Sequence, residues 1–396
     1  MKILYIHQYF KTPQEPGGTR SYWIAKELIK NGHEVIMLTT SSQISSKVVK
    51  KSIDGLDVIY LKVPYNQNMG FFARLSSFIR FMFRSTWMAL KVKDIDLVIA
   101  TSTPLTIGFP ALVLKKFKNI PFVFEVRDLW PEVPIQMGAL KNSFVIAIAN
   151  YFEKFIYENA SHIIALSPGM ADGVRKKNIS DSKISIISNM AKIDEFWPRE
   201  NNFDLMTKLG LNKNSFKVIH FGSLGLANGA MTIIESAILL KDNNSIDFLF
   251  IGGGSTESEL IHKCEMYNLK NVHFLGSFPM NTTSEIVNFS DISIVSFMDI
   301  PILYTNSPNK LFDSLSAGKP IIVNSAGWTK DLVENNQCGY YVNPNNPIEL
   351  VDKILFLQSN KSIEIKMGLN SRKLAQDEYD KCILCKKFVN LIENIN

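Results

Sequence analysis

Short apolar runs alternate with amphipathic segments along most of the 396-residue chain, and this alternation is the strongest constraint on its fold. The runs include KILYI, EVIML, DLVIA and FVFEV in the first half, and FKVIHFG, IDFLFIGGG and DISIVSF in the second. Alternating strand and helix patterns predict a parallel sheet that is covered by helices on both faces. Because the chain is too long for one ordinary core, we predict an α/β protein with two doubly wound domains.

The polar stretch from Trp197 to Ser215 interrupts the alternation. We therefore expect a Rossmann-like domain at 1–195, a linker region at 196–215, a second Rossmann-like domain at 216–375, and a C-terminal helix at 376–396 that packs back on the first domain. Doubly wound sheets bind ligands beyond the carboxyl ends of their strands. The cleft between two facing domains is thus the expected site.

Composition narrows the class of protein. The chain is 46% hydrophobic and 20% charged, which suits folded domains, and its four cysteines are too few for a disulfide framework. Cys382 and Cys385 fall in a helical pattern without a second ligand pair, so core packing is favoured there over metal or redox chemistry. The six histidines lack metal-ligand spacing, so no metal site is expected. No GxGxxG follows the first strand, which argues against a dinucleotide dehydrogenase.

Two glycine-rich loops lie between a predicted strand and a predicted helix. The first contains Gly17, Gly18 and Thr19 and leads into a helix at Arg20, and the second runs from Phe221 to Gly229. Backbone amides of such loops and the N-terminus of the following helix can bind a phosphate. A plain tight turn is the alternative for each loop, and tight turning is favoured for the three glycines at 252–254.

Polar residues also collect near the ends of predicted strands in the first half. His7 follows the first strand, and Arg127, Asp128 and Glu132 belong to the stretch EVRDLWPE. Strand ends are where polar groups reach a cleft, so these four residues are candidates for a cleft site. An internal salt-bridge cluster and a satisfied structural histidine are the alternatives.

The stretch PNKLFDSLSAGKP predicts a short helix that begins at Pro308 and ends before Gly318. Lys310 and Asp313 are three residues apart and so share one face of this helix. A helix start that carries this pair is a candidate for a functional role. A simple surface ion pair is the alternative interpretation.

The segment from Gln67 to Lys93 is basic, aromatic and free of acidic residues. Its helical spacing predicts a helix that contacts an anionic membrane surface through Arg74, Phe78, Arg80, Phe81, Arg84 and Trp87. The alternative is a domain helix whose apolar face is core. Charges within the segment exclude a membrane-spanning helix, and the N-terminus lacks a cleavage signal, so a cytoplasmic protein is expected.

In order and spacing, the stretches PGGTRSYWIAKEL, EVRDLWPE, FGSLGLANG and SPNKLFDSLSAGKPII resemble the retaining glycosyltransferases of family 4. The resemblance spans roughly residues 1 to 380, and the most similar branch contains bacterial O-antigen and capsule N-acetyl-L-fucosamine transferases. It implies the GT-B fold, a nucleotide-sugar donor in which UDP is favoured over GDP, and transfer of an N-acetylated amino or deoxyamino sugar.

The resemblance also assigns residues. Donor contacts are implied for Gly17, Gly18, Thr19, Arg20, Ser223, Gly225, Phe278, Pro279, Asn309, Lys310, Leu311 and Asp313. Phe278 and Pro279 fall beside the nucleobase and Asp313 beside the ribose, while Asp128 and Lys310 are the implied catalytic residues. Ser223 and Asn228 replace the usual loop cations, and Thr305 replaces the usual first glutamate.

The implied reaction is transfer with retention and without a cofactor, in which the departing phosphate helps to deprotonate the acceptor. The implied acceptor is a polyprenyl-diphosphate-linked glycan of O-antigen, capsule or exopolysaccharide synthesis. An enzyme that uses it is expected on the inner face of the cell membrane, without a nucleic-acid partner. A sugar-nucleotide 2-epimerase and a catalytically impaired GT-B partner protein remain alternatives.

Overall fold

The computed structural model describes residues 1–15, 17–65 and 69–395, and for Phe71 and Phe72 only the backbone. Pro16 of the first glycine-rich stretch and Gln67 of the basic segment lie outside the described residues. The chain divides into two compact units. Unit 1 consists of Met1–Thr12, Gly18–Ser188 and Leu384–Asn396, and unit 2 of Pro13–Gly17 and Asn189–Ile383.

Unit 1 contains one sheet and the helices that connect its strands. The strands are β1 (Lys2–Ile6), β2 (Glu34–Ser41), β3 (Val48–Ile53), β4 (Leu56–Lys62), β5 (Leu97–Thr101), β6 (Phe122–Val126), β7 (His162–Ala165) and β8 (Ile184–Ile186). The helices are α1 (Arg20–Lys30), α2 (Phe71–Lys91), α3 (Gly108–Lys118), α4 (Glu132–Gln136), α5 (Ser143–Asn159) and α6 (Pro168–Arg175).

The strand order in unit 1 is β3-β4-β2-β1-β5-β6-β7-β8. All neighbouring pairs are parallel except β3 with β4, which form an antiparallel hairpin at the sheet edge. The predicted parallel sheet is present, and the hairpin adds one antiparallel edge strand that was not predicted. The sequence VVKKSI of β3 is partly exposed at each position, so it lacks the apolar run that marks a central strand.

Unit 2 repeats the doubly wound pattern. Its helices and strands are α7 (Phe203–Lys208), β9 (Phe216–Phe221), α8 (Met231–Leu239), β10 (Ile246–Ile251), α9 (Glu257–Met266), β11 (Val272–Gly276), α10 (Met280–Phe289), β12 (Ile292–Val295), α11 (Asn309–Ser316), β13 (Ile321–Val323), α12 (Trp328–Asn335), β14 (Gly339–Tyr341), α13 (Pro347–Ser359) and α14 (Lys361–Leu374). The last helix of the chain, α15 (Lys381–Glu393), begins in unit 2 and ends in unit 1.

The sheet of unit 2 is parallel throughout, with the strand order β11-β10-β9-β12-β13-β14. The predicted linker at 196–215 belongs to this unit and is partly helical. Phe196, Met206 and Leu211 lie in its core beside β9 and β10, where burial removes their apolar surface from water. The segment is therefore packed structure rather than an open connection.

The residues of the basic helix α2 that were predicted to contact a membrane differ in their exposure. Phe78 and Phe81 are buried in unit 1, and the Phe78 ring meets the Trp130 ring edge-on at 6.0 Å. Their prediction as membrane contacts was wrong, since these two side chains complete the core. Arg80, Arg84 and Trp87 are exposed, whereas Arg74 is half-buried. Within the described part of the chain, no helix is long and apolar enough to cross a bilayer.

A buried ion pair holds the first turn of α1 to the sheet. Arg20 donates to Glu125 at 2.8 Å, and both side chains are at most 1% exposed. Its other nitrogens donate to the backbone oxygens of Ile187, at 2.9 Å, and Ser188. The predicted donor contact of Arg20 was therefore wrong, because its hydrogen-bonding groups are directed at the protein itself.

We predict that Arg20→Met lowers the free energy of unfolding by about 3–5 kcal/mol, because it leaves the Glu125 carboxylate buried without its cation. Urea denaturation measures the change. The double variant Arg20→Met with Glu125→Met should recover part of the loss. If the double variant is as unstable as Arg20→Met alone, the unpaired carboxylate is not the cause.

Candidate functional site

In unit 2, the connections reverse direction between β9 and β12, the central strands of the sheet. A doubly wound sheet opens a crevice at such a switch point. The glycine-rich loop follows β9, and α11 lies on the connection from β12 to β13. The fold thereby brings two of the predicted motifs to the same end of the sheet.

Close backbone packing shapes the glycine-rich loop. A Cβ at Gly252 would lie 1.9 Å from the Gly222 carbonyl oxygen, so only glycine fits where the loop after β10 supports the loop after β9. Gly229 ends the loop in the left-handed region at φ 55°, and a Cβ there would lie 2.6 Å from the Phe297 backbone. The favoured interpretation of 252–254 as a tight turn agrees with this supporting role. Ser223 is exposed and Gly225 half-buried within the loop.

Lys310 joins α11 to the glycine-rich loop. Its ammonium group donates to the Asn228 side-chain oxygen at 3.2 Å and lies 3.3 Å from His220 Nε2, and the residue is only 8% exposed. Asn228 stands where relatives of the resembled family carry a lysine. Here its amide oxygen orients a cation that comes from a different element.

Lys310 is a buried cation whose described surroundings contain no counter-ion. Among the described residues, no carboxylate lies within 4.0 Å of its ammonium group. Burial lowers the pKa of Lys310 to about 7. Burial and then the nearby Lys310 hold the pKa of His220 well below its ordinary value, so the imidazole is neutral. A buried charge normally has a partner, and an anionic ligand would supply the missing one.

The N-terminus of α11 adds positive potential. Pro308 precedes the helix with extended backbone, and the first amides of the helix, at Asn309 and Lys310, precede the first intrahelical bond. Leu311 was predicted to contact the donor, but its side chain is fully buried and its amide donates to the Pro308 oxygen at 3.1 Å. That prediction was wrong because Leu311 faces the core.

Asp313 does not pair with Lys310. Its carboxylate forms an ion pair with Lys192 at 3.1 Å, and both residues are buried. Burial raises the pKa of Asp313 to about 6, although Lys192 acts in the opposite direction. The alternative of a surface ion pair within the helix is thereby excluded.

The sequence analysis missed Lys192. It lies in unit 2, ahead of the first strand, with its ammonium group 3.9 Å from Met280 Sδ and 5.3 Å from the centre of the Phe196 ring. Lys381 forms ion pairs with the neighbouring acids Asp194 and Glu195, at 2.7 Å and 3.2 Å. The only signal in the sequence was the position of this lysine between Ala191 and Ile193 in the stretch SNMAKIDEF.

Three further residues named from the resemblance lie at the edge of the core or in turns of unit 2. Phe278 is half-buried beside a core cluster, and exposed Pro279 precedes the first turn of α10. The Thr305 hydroxyl donates to the Ile302 oxygen at 2.7 Å within a short 3₁₀ turn. Thr305 therefore shapes the turn ahead of α11.

Unit 1 has its own polar cluster at the β1/β5 switch point. Arg127 donates to His7 Nε2 at 3.2 Å, so the ring proton of His7 is on Nδ1, which donates to the Ser21 hydroxyl at 2.6 Å. Burial, followed by the charge of Arg127, holds the pKa of His7 well below its ordinary value. His7 is therefore neutral, and it orients the half-buried guanidinium of Arg127.

Asp128 lies beside this pair. The Thr103 hydroxyl donates to its carboxylate at 2.5 Å, while burial raises its pKa. Glu132 is separate, at the first turn of α4, where Gln136 donates to it at 2.6 Å. The structure thus brings His7, Arg127 and Asp128 together at the strand ends of unit 1.

The first glycine-rich loop is the remaining predicted feature. Gly17 has φ 132° and is exposed, Gly18 is half-buried, and Thr19 is buried directly before α1. No group of three or more histidine, cysteine or acidic residues suitable for a metal occurs in the described ranges. Cys385 is buried in α15 and Cys382 is exposed.

Comparisons with known proteins agree with this architecture. The family model described as a glycosyl transferase 4-like domain matches residues 17–190. The model described as glycosyl transferases group 1 matches residues 201–374.

Two curated relatives extend the comparison. An Escherichia coli protein, UDP-Gal:alpha-D-GlcNAc-diphosphoundecaprenol alpha-1,3-galactosyltransferase, is 26% identical over 204 residues, which is 50% of this chain and 51% of that protein. The chain thus matches about half the length of this relative. An uncharacterized glycosyltransferase of Methanocaldococcus jannaschii is 22% identical over 380 residues, with 93% of this chain and 91% of that protein covered.

Solved structures confirm the predicted fold. Sucrose-phosphate synthase from Thermosynechococcus elongatus superposes with a TM-score of 0.80 at 17% identity, covering 100% of this chain and 98% of that chain. The Anabaena protein HepE, in complex with UDP and glucose, superposes with a TM-score of 0.72 at 17% identity, covering 100% of both chains.

We predict that Lys310→Met raises the melting temperature at pH 7. Folding lowers the pKa of Lys310 from 10.5 to about 7, so the buried ammonium destabilises the native state fully below pH 7. The penalty declines as the pH rises toward 10.5, where the unfolded chain also loses this proton. The gain from Lys310→Met should therefore shrink between pH 7 and about pH 10. A constant gain across scanning-calorimetry measurements in this range would contradict the assigned cause.

Proposed function

The chain is a glycosyltransferase of the GT-B fold and the group 1 type, and we propose that it moves a sugar from a UDP-sugar to a polyprenyl-diphosphate-linked glycan with retention of configuration. The proposed sugar is an N-acetylated amino or deoxyamino sugar. The proposed setting is O-antigen, capsule or exopolysaccharide synthesis. The curated E. coli relative, by its name, uses a UDP-sugar and a diphosphoundecaprenol-linked acceptor.

The observation that carries the proposal is the buried ammonium group of Lys310, whose described neighbours include no counter-ion. It lies at the N-terminus of α11, is oriented by Asn228, and has no carboxylate partner among the described residues. A diphosphate supplies two negative charges and several acceptor oxygens to such a place. In our proposal, Lys310 binds the diphosphate together with the amides of Asn309 and of the loop that holds Ser223 and Gly225.

The nucleoside is assigned to the neighbouring turn of the same unit. Asp313 lies one helical turn after Lys310, and its carboxylate accepts the ribose hydroxyls in our proposal while Lys192 keeps it ionised. Phe278 and Pro279 border the base. Backbone groups of the turn at Thr305 replace the carboxylate that this sequence lacks.

The cluster of unit 1 is assigned to the transferred sugar and the acceptor. Arg127, oriented by His7, has donors for hydroxyl or phosphate oxygens, and the carboxylate of Asp128 accepts from a sugar hydroxyl. Gly17, Gly18 and Thr19, on the loop before α1, offer further backbone amides in our proposal. Glu132 lies apart from the cluster on α4 and is a further proposed acceptor contact. Asp128 is the proposed catalytic residue of this unit, because its half-buried carboxylate interacts with the charge of Arg127 and burial raises its pKa.

The proposed reaction replaces one bond to the anomeric carbon by another on the same face of the sugar. The bond from the anomeric carbon to the β-phosphate oxygen breaks, and its electron pair stays on the leaving UDP. The acceptor oxygen bonds to the anomeric carbon and gives its proton to a phosphate oxygen. Lys310 stabilises the charge that develops on the diphosphate, which is the largest catalytic contribution available to the protein.

The acceptor lipid places the enzyme peripherally on the inner face of the membrane. Exposed Arg80 and Arg84 on α2, together with half-buried Arg74 and the exposed ring of Trp87, suit anionic headgroups. This surface is also the proposed reason why the helix has no acidic residue.

UDP binding should weaken as the pH rises above 7, because the free site loses the proton of Lys310 with a pKa of about 7. At pH 8 most of the free sites are neutral, so UDP binding should take up close to one proton. Titration calorimetry at pH 8 in two buffers of different ionisation enthalpy measures this uptake. Lys310→Met should weaken UDP binding by about 100-fold or more at pH 7.

Lys319→Met is the matched control for this experiment. Lys319 is a half-buried lysine of unit 2 whose pKa is lowered to about 8 by burial, and its ammonium group donates to the Asn288 backbone oxygen. This variant should keep both UDP affinity and proton uptake. Unchanged UDP binding in Lys310→Met would refute the proposed donor site.

The activity itself is tested with a panel of nucleotide-sugars and a polyprenyl-diphosphate-sugar acceptor. We expect a UDP-sugar to be consumed only with the acceptor present, and NMR of the product to show the anomeric configuration of the donor. An inverted product would refute retention. Conversion of the donor alone to an epimer would favour the epimerase alternative, and no turnover with any donor would favour the impaired partner protein.

A further inference from the structure

Helix α5 carries an exposed apolar stripe that the sequence analysis did not identify. Five of its large apolar side chains are exposed, at fractions between 41% and 72%: Phe144, Val145, Ile148, Tyr151 and Phe155. Four of these have the spacing i, i+4, i+7 and i+11, which places them along one side of the helix. The opposite side is buried through Glu153, Ile156 and Tyr157.

The stripe belongs to a continuous layer of helices. Helices α2, α3 and α5 connect strands that follow one another toward the same sheet edge, so right-handed crossovers place them on one face. Lys118 on α3 donates to the Leu90 oxygen of α2 at 2.6 Å, and Lys115 donates to the Asn159 oxygen of α5. Helix α3 thus joins the other two.

Exposed apolar side chains recur across this layer. Helix α2 presents a second stripe, and α3 adds one exposed ring: Leu75, Ile79, Phe83, Trp87 and Leu90 on α2, and Phe117 on α3. Contiguous apolar surface of this kind marks an interaction site in a folded protein. Tyr151 and Trp87 are aromatic residues of the type that favours a membrane interface.

The charges around the layer determine its partner. No acidic residue occurs at 67–93, at 97–124 or at 133–152, whereas these ranges contain Arg80, Arg84, Lys116 and Lys141 with other cations. A second copy of the chain, docked by the same face, would bring these cations against each other. An anionic bilayer surface complements them instead.

We propose that α5 inserts its apolar stripe into the acyl region of an anionic bilayer, beside the headgroup contacts of α2. This inference rests on the proposed function and extends its membrane contact from an electrostatic surface to a hydrophobic anchor. Two separate components of binding should result. The α2 component falls with salt because exposed charges are screened, and the α5 component does not.

The test compares two sets of variants on vesicles of phosphatidylcholine with phosphatidylglycerol. The stripe variant, F144D/I148D/Y151D, should lower the vesicle partition coefficient by more than about tenfold at low salt and at about 0.5 M salt. The charge variant, R80E/R84E, should lower it at low salt only. Partitioning of the stripe variant equal to that of the wild type would overturn the proposal.

The matched control places the same changes on exposed apolar residues of unit 2. The variant I348D/I365D/L369D changes side chains that are 53–66% exposed on α13 and α14, and it should partition like the wild type. An equal loss in this control would overturn the proposal by showing a non-specific effect of charge. Light scattering tests the alternative that a second copy of the chain covers the stripe. If the wild type is a dimer and the stripe variant a monomer, with equal partitioning of the two, the stripe is a dimer interface and not a bilayer contact.

UDP binding separates this inference from the proposed function. The stripe lies in unit 1 and the proposed UDP site in unit 2, so the stripe variant should bind UDP as the wild type does. A far-UV circular dichroism spectrum equal to that of the wild type verifies the fold of the stripe variant. If UDP fails to bind any of the proteins while the stripe variant loses vesicle binding, the proposed function fails and the bilayer contact stands. Normal UDP binding with unchanged partitioning would overturn the bilayer contact and leave the proposed function in place.

Discussion

Right-handed connection of parallel strands is the constraint on which the candidate sites depend. In each sheet the connections leave the centre in two directions, and the strand ends at the reversal have no helix directly above them. The reversal lies between β1 and β5 in unit 1 and between β9 and β12 in unit 2. His7, Arg127 and Asp128 gather at the first, and Asn228 and Lys310 at the second. Neither cluster is contiguous in sequence, and both result from the order of the strands.

The buried cations of the two units differ in their partners. Arg20 is neutralised by Glu125 and donates to two backbone oxygens, so its burial fixes the first turn of α1 to the sheet. Lys310 has an amide oxygen and a neutral imidazole as neighbours, and its lowered pKa reflects burial that no described carboxylate offsets. Burial alone therefore does not separate structural from functional residues. The type of partner does, because a residue that is already neutralised has nothing left for a ligand.

The fold class was predictable because strand and helix periodicities are local. The strand β3 was missed, since its exposed lysines hide an edge strand, and Phe78 and Phe81 were expected on a membrane although they are core. A helical pattern shows that side chains share a face, but the neighbours of that face come from distant elements. For the same reason Lys310 and Asp313 were identified from their helix, while Lys192 was not. The role of Lys192 depends on its ion pair with Asp313, which is more than 100 residues away in the sequence.

The α5 stripe was missed because, in the sequence alone, its apolar residues cannot be distinguished from ordinary core residues.

The contact between Gly222 and Gly252 has a consequence for how this protein can diversify. Because a Cβ at 252 would collide with the loop backbone, the loop path is set by main chain packed on main chain, independently of the side chains that the loop displays. Ser223 and Leu226 are exposed on that path. Substitutions there change the chemistry offered to a ligand and leave the geometry intact. The loop can therefore keep its backbone path while its exposed side chains change. In our proposal this allows one fold to give rise to enzymes that use different sugars.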